Sequence, residues 1–229
     1  MTGDYVGAVN LEAMAEAHNY NAVLADLVAR NLGGCTRCLD FGAGDGLMTA
    51  LVAARGIRPD CVEPDHRLAT KLRAAGFAVW ADIVDCPPAS FDGVYTLNVL
   101  EHIEDDVAAL KRLRECLVPG GRLVAYVPAF PVLFSRMDEL VGHFRRYRHA
   151  ELAAKLRAAG FVVDQLAYAD SLGFFAALAY RFVARGSGAL KPGSVSLYDR
   201  WIFPTSHRLD RLTGAWFGKN LFAVASVPK

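Results

Sequence analysis

The segment Arg37-Cys38-Leu39-Asp40-Phe41-Gly42-Ala43-Gly44-Asp45-Gly46-Leu47 restricts the fold more than any other stretch of the chain. A short apolar run ends in an aspartate, glycines follow at alternate positions, and Leu47 to Val52 reads as the start of a helix. Strand, glycine turn and helix N-terminus, in that order, are the parts of an α/β nucleotide site. Glycine lets the backbone take φ > 0 and lets a ligand approach where a Cβ would clash. The free N–H groups of the helix start then offer donors. Spacing separates the ligands. A dinucleotide fingerprint needs G-x-G-x-x-G, and Leu47 stands where the third glycine belongs, so the series is Asp40-x-Gly42-x-Gly44-x-Gly46. On the turn alone, an ordinary loop or another nucleotide site stays open.

The rest of the chain supplies the alternation that such a turn requires. A helix over Leu11 to Leu32, stopped by Gly33-Gly34, precedes the first strand. A second strand, Arg58 to Asp65, carries Glu63 about twenty residues past the turn, where a carboxylate accepts from both hydroxyls of a ribose. The helix His66 to Ala75 stops at Gly76, and nearly the same string returns at Leu152 to Phe161, read as one helix-stop-strand punctuation used twice. Asp82 and Ile83 follow the third strand, and Phe91 to Leu97 is the fourth. An amphipathic helix over Glu104 to Leu117 leads through Pro119-Gly120-Gly121 into a fifth strand, Arg122 to Pro128. Strands alternating with helices imply a doubly wound, mostly parallel sheet.

Bulk properties bound the partners. With 229 residues, 53% of them hydrophobic, the chain is long enough for one core, and a single domain is expected. A net charge of +1 gives no field of the kind that draws a protein to nucleic acid. Five cysteines and an N-terminus with neither a basic nor an apolar leader region point to a reducing cytoplasm. Cys35-Thr36-Arg37-Cys38 is a C-x-x-C without a second pair, and no metal ligands are assigned. No apolar run approaches the roughly 20 residues of a membrane span.

Two motifs now agree in order and separation. The Asp40 to Gly46 turn resembles the first motif of class I S-adenosylmethionine-dependent methyltransferases, and Asn98-Val99-Leu100-Glu101-His102 resembles the N/S-x-L-E-H string at the end of their fourth strand. The L-x-P-G-G-x-L turn, Leu117 to Leu123, is a further shared feature. The resemblance covers Tyr20 to Val127 and implies a seven-stranded Rossmann-like sheet with an N-terminal helical cap (1–34), a cofactor-binding half (35–127) and a substrate-binding half (128–229) with a helical insertion. It implies S-adenosyl-L-methionine as cofactor and S-adenosyl-L-homocysteine as product. The cofactor would be held by Tyr20, Asp40, Gly42, Ala43, Gly44, Glu63, Pro64, Asp82, Ile83, Asn98 and Val99, with the adenine amino group on Asp82 and the ring on the Ile83 N–H.

Beyond Pro128 the chain departs from the shared pattern. Gly142-His143-Phe144-Arg145-Arg146-Tyr147 resembles the G-H-x-R-R-Y string of a bacterial subgroup of the family. Ligands of such folds sit at the carboxyl ends of the strands, so this loop is expected over the methyl group. His143, as the imidazole of the loop, is the candidate base and Tyr147 a second catalytic candidate; Arg145 and Arg146 suit a carboxylate or phosphate, and His102 is a further substrate contact. A solvated basic turn capping the helix at His149 is the structural alternative. The last third offers a strand from Phe161, an apolar helix over Leu172 to Val183, a Gly/Ser/Pro loop around Gly186 to Ser196 and a final strand, Asn220 to Val227. Its aromatic and arginine residues suit a lid, a dimer face, a patch resting on a membrane, or plain packing. The expected activity is O-methylation of a small anionic or hydroxylated metabolite by a monomer or homodimer. A lipid-linked or cell-envelope sugar acceptor, and a cofactor-binding module without turnover, stand as alternatives.

Overall fold

The computed structural model describes residues 14–183 and 192–229. Seven strands form one sheet: β1 (Cys38–Phe41), β2 (Asp60–Val62), β3 (Val79–Trp80), β4 (Phe91–Leu97), β5 (Leu117–Pro128), β6 (Val162–Ala169) and β7 (Asn220–Ser226). Their order is β3-β2-β1-β4-β5-β7-β6. The first five pair in parallel, and β7 is antiparallel to both its neighbours. Because β1 pairs with β2 on one side and β4 on the other, the winding reverses at β1, and the crevice outside its carboxyl end is where such sheets take ligands.

Side chains alternate across the strands, so one sequence feeds two cores. Leu123, Ala125 and Val127 of β5 join one apolar cluster, while Val124 and Tyr126 join the other. The first cluster is closed by α4 (Asp106–Cys116) and α6 (His149–Ala158) through Leu110, Leu113, Leu152 and Leu156. The second is closed by α1 (His18–Leu32) and α2 (Leu47–Ala53) through Leu24, Val28, Leu32 and Val52. Each fully buried leucine contributes about 1.5–3 kcal/mol of transfer free energy. Helix starts are set locally: Asp65 Oδ1 accepts from Arg67 and Leu68 N–H at the start of α3 (His66–Ala74), and Asp105 Oδ1 from Ala108 N–H before α4.

The repeated string terminates two helices in the same way. After α3, Gly76 takes φ +85° and Phe77 N–H reaches Leu72 O at 3.1 Å; after α6, Gly160 takes φ +88° and Phe161 N–H reaches Leu156 O at 3.0 Å. Both are left-handed glycine stops that satisfy orphan carbonyls.

Several boundaries differ from the sequence reading. The expected first helix is observed from His18, and its part over residues 11–13 lies outside the described residues. Pro119-Gly120-Gly121 stands inside β5 as an irregularity, because Gly120 N–H and Gly121 O pair with Val227. A short helix, α5 (Arg136–Leu140), precedes the basic loop. The apolar helix is α7 (Ser171–Val183), and the expected Gly/Ser/Pro loop falls partly outside the described residues and partly on α8 (Pro192–Trp201). A last helix, α9 (Phe203–Thr213), follows. Among the described residues no helix is long and apolar enough to cross a membrane.

Candidate active site

The carboxyl ends of β1 to β4 meet in one rim. Gly42, Gly44 and Gly46 all take positive φ (+83°, +57° and +86°), a conformation that L side chains rarely adopt. Gly42 and Ala43 N–H donate to Val62 O at 3.0 and 3.1 Å, which ties the turn to β2. A Cβ on Gly42 would lie 2.4 Å from Val99 Cγ2, so the turn and the loop after β4 touch only because no side chain intervenes. A Cβ on Gly44 would meet nothing within 4 Å, leaving an open cradle above the turn.

Carboxylates border that cradle in different ways. Glu63 is nearly buried; its Oε2 accepts from Gly44 N–H at 2.8 Å and its Oε1 from Asp65 N–H at 2.9 Å. Burial raises its pKa, while the two main-chain donors pull it back. Asp40 lies beneath the turn and accepts from Thr49 Oγ1 at 2.7 Å and Tyr95 OH at 2.8 Å, bracing β1 against α2 and β4. Burial pushes its carboxyl up to about 6, with the two hydroxyl donors acting in the opposite direction. Pro64 leads from Glu63 into the Asp65 cap. Asp82 is exposed at the end of β3, accepts from Val84 N–H at 3.1 Å and precedes the buried Ile83.

Asn98 ends β4 at φ +56° with its N–H on Tyr126 O at 2.8 Å, a strained placement of the sort that clusters at functional sites. Its side chain meets the phenol of Tyr20. Tyr20 is buried edge-on against Tyr126 and Phe203, which brings the N-terminal helix to the rim. A remote residue holds that helix: Asp199 of α8 accepts from Asn19 N–H at 2.9 Å and Tyr20 N–H at 2.8 Å, doing the work of the missing local cap. With the open cradle, the carboxylate of Glu63 at the β2 end and Asn98 at the β4 end, the residues present fit S-adenosylmethionine.

Beside this rim, α1, α7 and α8 enclose a cavity of about 220 Å³. Its walls include Ala17, Leu133, Ala176, Val195 and Phe203, and its polar groups include Asp170 and Lys219. Asp170 is buried at φ +59°; its Oδ1 accepts from Tyr198 OH, Ser206 Oγ and Gly173 N–H, and Lys219 Nζ lies 3.7 Å from Oδ2. Sequence reasoning missed Asp170, Tyr198 and Asp199, because the contacts that give them a role cross 28 to 180 positions of chain.

The basic loop divides into two ion-pair groups. Arg146 lies against Asp138, Nε to Oδ1 at 2.8 Å and Nη2 to Oδ2 at 3.0 Å, and both are buried. Burial would raise Asp138, but His143, Arg146 and Ser135 outweigh it and hold the carboxyl at about 2. Arg145 instead donates to Ile103 O and Glu104 O and lies 2.9 Å from Asp106, whose carboxylate also accepts from Tyr147 OH and Lys155. Tyr147 is fully buried in that group. The expectation that Tyr147 acts in catalysis and that Arg145 holds an acceptor is therefore set aside: one phenol is sealed in the core, and the guanidinium is spent on main-chain carbonyls. Arg146 borders the cavity, though its charge is already met by Asp138. His143 Nδ1 is 2.8 Å from Asp138 Oδ1, and its ring stands edge-on to His102 at 4.5 Å. His102 is pushed down to about 4 by burial and by His143.

Comparison with known proteins agrees with this geometry. The methyltransferase domain family matches residues 15–166. An uncharacterized methyltransferase of Mycobacterium tuberculosis is 37% identical over 123 residues, 50% of this chain and 60% of that protein, so the match spans less than two thirds of the relative. A ubiquinone biosynthesis O-methyltransferase of Xylella fastidiosa is 28% identical over 174 residues, covering 65% of this chain and 70% of that one. The fold alone is shared with a possible histamine N-methyltransferase of Thermotoga maritima, at a TM-score of 0.62 and 17% identity over 96% of both chains. A glycine turn over an open cradle, the sheet order and two thirds of the chain's length matched by one domain family lead to one statement: the chain belongs to the class I S-adenosylmethionine-dependent methyltransferases.

Proposed function

We propose that this protein transfers a methyl group from S-adenosylmethionine to an oxygen of a small hydroxylated acceptor seated in the cavity between α1, α7 and α8. The observation that carries the reading is that cavity, apolar in its walls and bordered by Tyr20, beside a glycine turn with an open cradle. The cofactor, when bound, supplies an electrophilic methyl carbon on a sulfonium.

The chain's own part is positioning. Glu63 offers two acceptor oxygens to a ribose diol, already oriented by main-chain donors. Asp82 and the Ile83 N–H border the adenine side, and Val99 closes on Gly42 of the turn, with Asn98 next to it in sequence. The two cations nearest the cavity, Arg146 and Lys219, face Asp138 and Asp170, which favours a hydroxylated acceptor over an anionic one. The name of the Xylella relative supports oxygen as the methylated atom. His143 does not border the cavity, its ring being held by Asp138 and turned toward Glu101, so this reading assigns it no proton transfer. Calorimetric titration with S-adenosylhomocysteine is the test: micromolar binding that Glu63→Ala weakens supports the assignment, and unchanged binding in the variant removes Glu63 from it. Methyl transfer to a panel of phenols then tests the acceptor class.

A second reading, an acceptor taken from a lipid surface, is favoured by exposed apolar side chains on and beside α8 and α9. Trp201, Leu212 and Trp216 are 65%, 72% and 72% exposed, with Arg200 and Arg211 next to them in sequence. Sedimentation with anionic vesicles separates the two readings, since a protein that stays in the supernatant excludes the second.

A further inference from the structure

Directly after β4, three side chains converge that no part of the cofactor assignment uses. Glu101 is fully buried, and neither of its carboxylate oxygens has a hydrogen-bond partner. Buried carboxylates are almost always paired or ligate a cation, so two orphaned oxygens on one side chain call for an explanation. On the opposing loop His143 Nε2 is 3.9 Å from Glu101 Oε1, and the Arg146 guanidinium, already paired with Asp138, adds its charge without bonding either oxygen. His102, the next residue in sequence, packs its ring edge-on against His143. Donor atoms of Glu101, His102 and His143 all lie within 4.8 Å of one another.

The surroundings orient these donors. His143 Nδ1 meets Asp138 Oδ1 at 2.8 Å, which directs Nε2 toward Glu101. Asp138 is itself fixed by Arg146 on both oxygens and by the N–H and hydroxyl of Ser135. A carboxylate behind a histidine, holding its tautomer and ring plane, is the usual support of a metal-bound imidazole. The main chain fastens the two loops as well: Phe144 N–H donates to Glu101 O at 2.8 Å and His143 N–H to Asp138 O at 2.8 Å. Metal–ligand bonds of about 2.0–2.2 Å to a common centre allow donors up to about 4.4 Å apart, so a small rotamer adjustment closes the set.

We propose that Glu101, His102 and His143 form a binding site for one first-row divalent cation such as Zn2+, Mn2+ or Fe2+. Two imidazoles and one carboxylate suit that class, and three protein donors leave at least one position for an outside oxygen. The site stands at the carboxyl end of β4, on the rim that carries Asn98. That the outside oxygen belongs to the methyl acceptor rests on the methyl-transfer reading; that the ion binds does not.

The experiment is titration of the full, chelator-treated chain with Co2+, followed by visible ligand-field absorption and by calorimetry, and then competition with Zn2+. One equivalent bound, with affinity falling about 100-fold in His143→Ala and in His102→Gln and about 10–100-fold in Asp138→Asn, is the expected result. No binding by the wild-type chain at millimolar Co2+, or binding left unchanged by both histidine substitutions, overturns the site. Should His143→Ala fail to fold, His102→Gln decides alone. Titration of the same samples with S-adenosylhomocysteine keeps the failures apart: loss of cofactor binding in the wild type undoes the methyl-transfer reading, and loss of Co2+ binding undoes only the ion site.

Discussion

The glycine rim and the cavity side are built by different means. Around Gly42 to Gly46 the architecture is written in main chain: positive φ at three glycines, N–H groups on Val62 O, and a carboxylate steered by two amides. Around the cavity and the basic loop it is written in side chains that meet across the fold: Asp199 capping α1, Asp170 gathering Tyr198 and Ser206, Asp138 gripping Arg146. Main-chain geometry depends on where glycine stands and leaves a spacing that can be read. Side-chain clusters depend on the fold being complete, and they fail differently when broken.

The largest expected effect tests the side-chain region. Asp138→Ala leaves Arg146 buried without its partner and should lower stability by about 3–5 kcal/mol in urea unfolding. A loss below 1 kcal/mol would mean that Arg146 escapes to solvent and that this region is softer than described.

The next test concerns the rim's foundation and is a matter of pH. Asp40 is raised from 3.8 to about 6, so the folded state holds its proton more tightly than the unfolded one. Its contribution is fully present below pH 4 and is lost as pH rises through 6, up to about 3 kcal/mol. Stability measured from pH 4 to 7 should fall more steeply with pH in the wild type than in Asp40→Asn. Parallel curves would place Asp40 in a wetter setting than its burial indicates.

Glu63→Ala removes a carboxylate that accepts from main chain and faces the cradle. A charged hydrogen-bonding group of this kind is worth about 1.5–3 kcal/mol, so S-adenosylhomocysteine affinity should drop roughly 10- to 100-fold while thermal stability changes little. A large fall in stability with unaltered affinity would reverse the contrast between rim and cavity.

Smallest of all is Trp216→Ala. The side chain is 72% exposed, and its loss should stay within about 0.5 kcal/mol in thermal unfolding. In sedimentation with anionic vesicles this variant should pellet less than the wild type, which would tie the segment after α9 to a lipid surface.

The same contrast explains what was legible in the sequence. The alternation of strands and helices, the turn and Glu63 follow from periodicity and spacing, and the structure places Glu63 and the glycines on one rim. Arg145 and Tyr147 were misplaced because adjacent residues on an extended segment point to opposite sides, so one short basic string feeds Asp106 on one flank and Asp138 on the other. The Asp199 cap was illegible for a plainer reason, since its partners lie 179 and 180 positions away. Pro119-Gly120-Gly121 reads as a turn from composition, yet it is drawn into β5 by main-chain bonds with Val227.

The register of the last two strands carries one more consequence. β6 ends and β7 begins at the paired residues Ala169 and Asn220, so the excursion that holds α7, α8 and α9 leaves and rejoins the sheet at facing neighbours. A segment whose two ends already touch can change length or content at little closure cost. The described residues between Asp170 and Lys219 can therefore vary without moving the seven strands, provided that a carboxylate in the place of Asp199 still holds the start of α1.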